Sequence, residues 1–163
     1  MTDPASEGPG ANPDSAIPFS PPVNRMVVAL LSLLGLMVAL YMLAYAMGLT
    51  GPVICGIGNC EAVQNSPYSR IGPIPVAAFG VVGYLVLIVT CFLGLQPSSR
   101  GSRLIPVILL AGGVAGLLFT GYLTYLEGFV IHAWCQWCVG SAIIMALAFL
   151  AILPEIRNLG DSS

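Results

Sequence analysis

Four cysteines in two close pairs are the residues of this sequence best suited to chemistry. Cys135 and Cys138 form a C-x-x-C motif at the head of an apolar run, and Cys55 and Cys60 flank a short segment earlier in the chain. Thiols three positions apart on a helix share one face, with Cβ atoms roughly 5–6 Å apart, so they can form a disulfide after a small backbone adjustment. A helix start also favours the thiolate. The motif therefore predicts a redox centre or half of a metal site.

The pairing of the two dithiols leaves three interpretations open. Exchange between them would make a relay, because a thiolate must attack a disulfide directly. Two glycines, Gly56 and Gly58, would keep the Cys55–Cys60 segment pliable, as changing partners requires. The alternatives are a static loop-closing disulfide and a structural zinc site with four cysteine ligands. The fifth cysteine, Cys91, is expected to be only a small apolar residue.

The composition is that of an integral membrane protein. The chain has 163 residues, of which 57% are hydrophobic and only 7% are charged, and its mean hydropathy is +0.93. A soluble domain carries about 25% charged residues, so this chain could not cover itself with a wetted surface. Its 5 Lys+Arg residues leave no basic patch for nucleic acid.

Four apolar stretches are long enough to cross a hydrocarbon core of ~30 Å, which needs about 20 helical residues. The predicted fold class is therefore all-α, an integral membrane bundle of four transmembrane helices within residues 25–157. The predicted helices cover residues 26–47, 74–95, 104–125 and 134–153. Gly112, Gly113 and Gly116 in the third helix would let a neighbouring helix approach closely.

The segments outside the helices are expected to be short or unstructured. Residues 1–24 are rich in Pro, Ser and Gly and are predicted to form a disordered tail. Residues 158–163 would be a second, short tail. An outer loop at 49–72 joins the first two helices, a turn at 96–102 joins the next two, and a short link covers 126–133.

The arginines predict which end of the bundle faces the cytoplasm. Four of the five would lie at one end, which puts both termini inside by the positive-inside rule. These four are Arg25, Arg100, Arg103 and Arg157, and only Arg70 falls at the other end. Both cysteine pairs would then face the oxidising outer side, where disulfide exchange is favoured over zinc binding.

Motifs around the cysteines make the chain similar to a known family. The loop pair follows the first helix, and the C-x-x-C motif opens the fourth. The matching segments are residues 59–66 (NCEAVQNS), 72–80 (GPIPVAAFG) and 125–138 (YLEGFVIHAWCQWC). Over about residues 25–153 the chain resembles the vitamin K epoxide reductase family in its bacterial form, which implies the inner (cytoplasmic) membrane of the cell.

The resemblance implies a role for each of the four cysteines. A thioredoxin-fold partner attacks the first loop cysteine, here Cys55, and leaves oxidised. The second, Cys60, relays to Cys135, and Cys138 passes the electrons to a membrane quinone, either ubiquinone or menaquinone. Ser66 occupies the position of a family serine that is expected to form hydrogen bonds near the loop or the quinone.

The expected function is therefore quinone-linked disulfide bond formation, without a metal. Phe79, Trp137, Glu127 and His132 are candidate quinone contacts. Glu127 would be costly deep in lipid, so it should face water or the site. Because the chain ends at Ser163, without the fused thioredoxin-like domain of some relatives, the partner is expected to be a separate protein.

Reduction of vitamin K epoxide itself is the nearest alternative activity. The animal enzymes contact vitamin K through an asparagine in the second helix and a tyrosine after the C-x-x-C motif. The corresponding positions here are Val76 and Ala142, whose side chains donate no hydrogen bond. The resemblance therefore favours a plain quinone as the acceptor.

Overall fold

In the part of the chain that the structure describes, four long apolar helices run alternately up and down. The structure, a computed structural model, describes residues 21–96 and 104–160. In chain order its helices are α1 (Pro21–Ala46), α2 (Cys60–Gln64), α3 (Val76–Leu95), α4 (Leu104–Tyr125) and α5 (Gln136–Gly160). Within the described residues, four of these are long and apolar enough to cross a membrane. The predicted all-α, four-helix membrane bundle is confirmed.

Several small elements cover one end of the bundle between α1 and α3. After α2 comes a short 3₁₀ helix, Pro67–Ser69, followed by an antiparallel pair of two-residue strands. These strands are β1 (Arg70–Ile71) and β2 (Ile74–Pro75), with Arg70 opposite Pro75. Helices α1 and α4 end here, and α3 and α5 begin here. We call this the cysteine end.

Small residues let the helices pack closely. Helix α1 packs against α3 and α5, and α4 packs against α5 and α3. A Cβ atom at Gly35 would lie 2.2 Å from the ring of Tyr84, and one at Gly116 would lie 2.7 Å from Met145. The glycines of α4 therefore have the packing role that the sequence predicts.

The buried side chains form two separate clusters. The larger one fills the middle of the bundle and contains Tyr84, Leu87, Leu109 and Cys91. The smaller one lies at the cysteine end and contains Cys60 and Cys135. Cys91 is thus buried among apolar side chains, apart from the other four cysteines.

The first helix begins earlier than predicted. Residues 21–24 belong to α1 and not to the expected disordered tail. Proline suits the first turn of a helix, where the backbone N–H groups have no intrahelical partner, so Pro21 and its proline neighbour can start the helix. Asn24 is already buried. Residues 1–20 of the predicted tail lie outside the described residues.

Two other helix boundaries differ from the prediction. Helix α3 begins at Val76 because Ile74 and Pro75 pair with β1 instead of joining the helix. Helix α5 continues through Pro154 to Gly160, into the predicted short tail, so the loss of one backbone hydrogen bond at the proline does not end it. Residues 161–163 and 97–103 lie outside the described residues.

The predicted link between the third and fourth helices is mostly helical. Leu126–Ile131 continues α4 as a single π-helical turn, and Leu126 and Glu127 are buried in it. The turn ends at His132, whose left-handed backbone (φ 53°) reverses the chain. Such insertions in a helix often accompany functional sites.

Candidate active site

The structure brings both cysteine pairs together at the cysteine end. Cys55 and Cys60 are joined by a disulfide, with Cα atoms 6.0 Å apart. Cys135 and Cys138 are free thiols. Cys60 and Cys135 share one buried cluster, and Cys55 and Cys138 pack against it. A disulfide and a dithiol therefore adjoin each other, as exchange requires.

Backbone contacts hold the Cys55–Cys60 loop against the C-x-x-C motif. Gly58 forms a β-bridge with Cys135, and the Asn59 N–H donates to the Trp134 carbonyl at 2.9 Å. Gly58 has a φ of +91°, and a Cβ atom there would lie 2.2 Å from the Trp134 oxygen. Only glycine fits this position. On the sequence alone, flexibility explains the loop glycines. At Gly58 the structure gives a more specific reason, which is the close packing of the loop against the Trp134 carbonyl.

The two residues between Cys135 and Cys138 clamp the same loop. The Gln136 Oε1 atom accepts hydrogen bonds from the backbone N–H groups of Gly56 and Ile57, both at 3.0 Å. The Trp137 Nε1–H donates to the Ile54 carbonyl at 3.0 Å. We call Gln136 and Trp137 the loop clamp. Sequence reasoning missed Gln136, although a polar residue inside a C-x-x-C motif on an apolar helix was a usable signal.

Solvent exposure divides the four cysteines into a partly exposed pair, Cys55 and Cys138, and a buried pair, Cys60 and Cys135. Cys55 is half-exposed, whereas Cys60 and Cys135 are both 0% exposed. Cys138 is partly exposed, as Cys55 is, and lines a cavity between the helices that is open on one side. A thiol arriving from outside can therefore reach Cys55, and only the protein's own groups reach the two buried sulfurs.

The sequence predicts that the whole C-x-x-C motif lies on the fourth membrane helix. In the structure the motif instead spans the start of α5. Cys135 precedes the first helical residue, and its carbonyl accepts a hydrogen bond from the Val139 N–H at 3.0 Å. Cys138 lies in the first turn. A hydrogen bond from the Cys138 thiol lowers the pKa of Cys135 to about 7. Cys135 is thus suited to be a thiolate near neutral pH.

This lowered pKa predicts how the reduced protein titrates. An ordinary cysteine has a pKa of about 8.5, so at pH 7.5 Cys135 should be mostly thiolate and an ordinary cysteine mostly thiol. In a Cys55→Ser/Cys60→Ser variant, the ultraviolet absorbance of thiolate should show a midpoint near pH 7. Adding Cys138→Ala should raise this midpoint, because the stabilising hydrogen bond is lost. An unchanged midpoint would contradict the assigned cause.

Glu127 contacts both residues of the C-x-x-C pair. Its side chain is 2% exposed, and Oε2 accepts a hydrogen bond from the Cys135 backbone N–H at 3.1 Å. The carboxyl group also forms a hydrogen bond with the Cys138 thiol. Of the two environments expected for Glu127, water or the site, it occupies the site.

An apolar cavity of about 130 Å³ lies between the helices at the cysteine end. Most of its walls are aliphatic or aromatic, and Cys138 is the one cysteine in its lining within the described residues. The predicted site residues that line it are Ser66, Phe79, Glu127, Trp137 and Cys138.

Ser66 lines the cavity, whereas His132 does not. Ser66 uses its hydroxyl to donate to the Val63 carbonyl at 2.7 Å, which stabilises the end of α2. His132 is exposed and lies outside the cavity lining. Its contribution to the site is the backbone reversal that follows the π-helical turn.

The cavity also has hydroxyl groups that the sequence did not single out. The Tyr84 hydroxyl donates to the Ser141 carbonyl at 3.0 Å and lies 2.9 Å from the Ser141 hydroxyl. Val76 lines the cavity, whereas Ala142 does not. No local pattern links Tyr84 and Ser141, which are 57 residues apart.

The geometry does not fit the four-cysteine zinc interpretation. Cys55 and Cys60 are bonded to each other, so their sulfurs are not thiolate ligands. In the part of the chain that the structure describes, no three His, Cys, Asp or Glu side chains are placed to hold a metal ion.

Comparison with known proteins agrees with a redox site in a membrane bundle. The sequence profile of the vitamin K epoxide reductase family matches residues 26–153, which is most of the chain. No curated protein matches the sequence. With its membrane-spanning helices, its disulfide and its adjoining dithiol, the chain belongs to the vitamin K epoxide reductase family and is a membrane oxidoreductase.

Proposed function

We propose that this protein reoxidises a separate thioredoxin-fold partner and passes the electrons through its two cysteine pairs to a membrane quinone, supporting disulfide bond formation. The observation that carries the proposal is the placement of the four cysteines relative to one another and to the cavity. Half-exposed Cys55 is bonded to fully buried Cys60, which shares a cluster with Cys135, and Cys138 lines the cavity. Each step of a relay thus has a sulfur in a suitable place.

The first exchange takes place at Cys55. A thiolate of the reduced partner attacks the Cys55 sulfur, because Cys60 is 0% exposed and out of reach. The Cys55–Cys60 bond breaks, and a mixed disulfide forms between the partner and Cys55. The partner's second thiol then displaces Cys55, so the partner leaves oxidised and the loop pair is reduced. The uncharged segment around Cys55 carries exposed Ile54 and Ile57, which offer the partner an apolar surface.

The second exchange takes place inside the protein. With Cys135 and Cys138 oxidised, the Cys60 thiolate attacks Cys135, and Cys138 leaves as a thiolate. Cys55 then resolves the Cys60–Cys135 bond, which returns the loop disulfide and leaves the C-x-x-C pair reduced. The loop clamp and the Gly58 bridge keep the two pairs aligned for this transfer. Such alignment can lower a barrier by several kcal/mol.

The cavity fits a quinone ring better than a polar substrate. Phe79 and Trp137 offer flat aromatic surfaces, and the hydroxyls of Tyr84 and Ser141 provide polar groups in the same lining. Apolar pockets with a few convergent polar groups are typical of cofactor sites. A quinone bound there would supply the two-electron acceptor for the Cys135/Cys138 dithiol. The apolar Val76 in the lining supports a plain quinone over vitamin K epoxide.

We place the cysteine end on the outer side of the inner membrane. Arg25 lies at the opposite end, where its guanidinium donates to the Gly94 carbonyl, and Arg157 lies near the end of α5 at that same end. Arg70 lies at the cysteine end and donates to the Ala46 carbonyl at 2.6 Å. The positive-inside rule with these arginines supports cytoplasmic termini.

A turnover assay tests the function. The purified protein is mixed with a reduced thioredoxin-fold oxidase and either a ubiquinone or a menaquinone analogue, and the quinone absorbance and partner thiols are followed together. We expect many turnovers, with one quinone consumed per partner disulfide formed. Partner oxidation without loss of quinone would contradict the proposal. Turnover of vitamin K epoxide, measured in parallel, should be poor.

Replacement of Cys91 provides the matched cysteine control. Cys91 is buried in the central cluster, apart from both pairs, so Cys91→Ala should keep turnover within about twofold of wild type. A loss of about 1–2 kcal/mol of stability is expected from the smaller side chain. Loss of turnover in a folded Cys91→Ala protein would assign Cys91 to the electron path and contradict the relay of four cysteines.

A further inference from the structure

Glu127 is a carboxylic acid buried in the π-helical turn that continues α4. Its side chain is 2% exposed in a helix that spans the membrane. Within the described residues its polar partners are the Cys135 backbone N–H and the Cys138 thiol, and neither is a cation. Ionisable residues are costly in this setting and are found there mainly where they have a function. The structure thus raises the question of what Glu127 does for the two cysteines.

The surrounding backbone fixes the position of this carboxyl group. The Glu127 carbonyl accepts hydrogen bonds from the N–H groups of His132 and Ala133, which hold the π-helical turn against the chain reversal. Its Oε2 atom accepts from the Cys135 N–H, immediately before the first residue of α5. Glu127 is therefore held rigidly beside the Cys138 thiol.

Oxidation of the C-x-x-C dithiol must release two protons. Cys135 gives up its proton readily, since its pKa is about 7. The Cys138 proton has no such easy exit, because Cys138 faces an apolar cavity. His132 is exposed and outside the cavity lining, so the group that contacts Cys138 and can take a proton is Glu127.

We propose that Glu127 is a catalytic residue that accepts the Cys138 proton when the Cys135/Cys138 dithiol is oxidised. This inference rests on the proposed function. The Cys138 S–H bond breaks and one S–S bond forms between the Cys135 thiolate and Cys138, while the quinone gains two electrons and two protons. One proton is that of Cys138, transferred through Glu127, whose carboxyl also lines the cavity. The other proton comes from water, to which Cys135 has already released its own, and Glu127 is unchanged at the end of the cycle.

Infrared difference spectroscopy of the protein without quinone tests the proton transfer directly. In a Cys55→Ala/Cys60→Ala variant, the C-x-x-C pair is reduced and then reoxidised at an electrode in the infrared cell. We expect oxidation to add a protonated carboxyl band and remove a carboxylate band, because the buried carboxylate loses the S–H donor and takes the proton. The bands should be absent in Glu127→Gln and retained in Glu61→Gln, which alters an exposed carboxyl on α2. Spectra without carboxyl bands would overturn the proposal.

A kinetic measurement complements the spectra. Glu127→Gln retains an oxygen that can accept from the Cys135 N–H but cannot take up a proton. Oxidation of its reduced C-x-x-C pair by a soluble ubiquinone analogue should be at least about 100-fold slower than in wild type, the usual contribution of a general base. Glu61→Gln should react at the wild-type rate. An unchanged rate in folded Glu127→Gln would overturn the proposal.

Failure of this inference can be told from failure of the proposed function. If the wild-type protein does not reduce quinone at all, the proposed function is wrong, whatever the infrared spectra show. If wild type reduces quinone, Glu127→Gln reduces it equally fast, and the spectra of the protein with Glu127 lack the carboxyl bands, the relay stands and the proton role of Glu127 is wrong. The infrared spectra of the protein that retains Glu127 test the proton transfer even if Glu127→Gln does not fold.

Discussion

Cys138→Ala is expected to lower steady-state quinone reduction at least about a thousandfold, in line with the loss of a reacting group from an enzyme. Cys138 is the cysteine that lines the cavity, so without it electrons have no sulfur from which to reach the acceptor. The Cys55–Cys60 disulfide remains intact. The variant should therefore still oxidise one equivalent of reduced partner and then stop.

Counting partner disulfides per protein molecule checks this expectation. Each molecule of Cys138→Ala should form one partner disulfide, whereas each molecule of wild type should form many. Cys91→Ala should behave like wild type. Multiple turnovers by Cys138→Ala would show that Cys138 is not the last cysteine in the electron path. The absence of even the first equivalent would instead show that the loop disulfide is not the acceptor of partner electrons.

Gly58→Ala is expected to have the second largest effect, by separating the two cysteine pairs. The added Cβ atom would lie 2.2 Å from the Trp134 oxygen, and the φ of +91° is unfavourable for alanine. The loop must move away from the C-x-x-C motif, and a misplacement of 1 Å can slow a reaction about 100-fold. We expect the transfer from Cys60 to Cys135 to slow by at least that factor.

The matched control is Gly48→Ala, at another glycine with positive φ (+73°) but with nothing within 4 Å of the added Cβ. Both changes are made in a Cys55→Ala/Cys138→Ala background, and the Cys60–Cys135 disulfide formed under mild oxidation is followed by mass spectrometry. Gly48→Ala should leave its rate nearly unchanged. If both variants form the bond equally fast, docking through Gly58 does not align the pairs.

The sequence predicts the membrane bundle well because the physical signal there is strong. A run of about 20 apolar residues has few alternatives to a membrane helix, and the bounds of α4 agree with the prediction. The helix ends depend on weaker interactions. Ile74 and Pro75 join a strand pair and Pro154 is tolerated within α5, because partners elsewhere in the chain outweigh local preference.

The arrangement of the site is only partly visible in the sequence. The cysteine spacing marks the two pairs, and the apolar setting singles out Glu127. The loop clamp, by contrast, depends on hydrogen bonds between Gln136 and backbone N–H groups 79 and 80 residues away. Every residue type except proline carries such a group, so the sequence does not mark these partners. The requirement for glycine at position 58 likewise comes from the Trp134 carbonyl, which only the folded chain brings near.

The burial of Cys60 and Cys135 also has a consequence for unwanted chemistry. A small thiol or disulfide from the surroundings meets Cys55 first, since the next two sulfurs are 0% exposed. An adduct on Cys55 leaves a free Cys60 thiolate beside it, which displaces the small molecule and restores the loop disulfide. The protein thus removes such adducts itself, and small thiols in the surroundings do not exchange directly with buried Cys135. Its oxidising power can therefore differ from that of the solution outside.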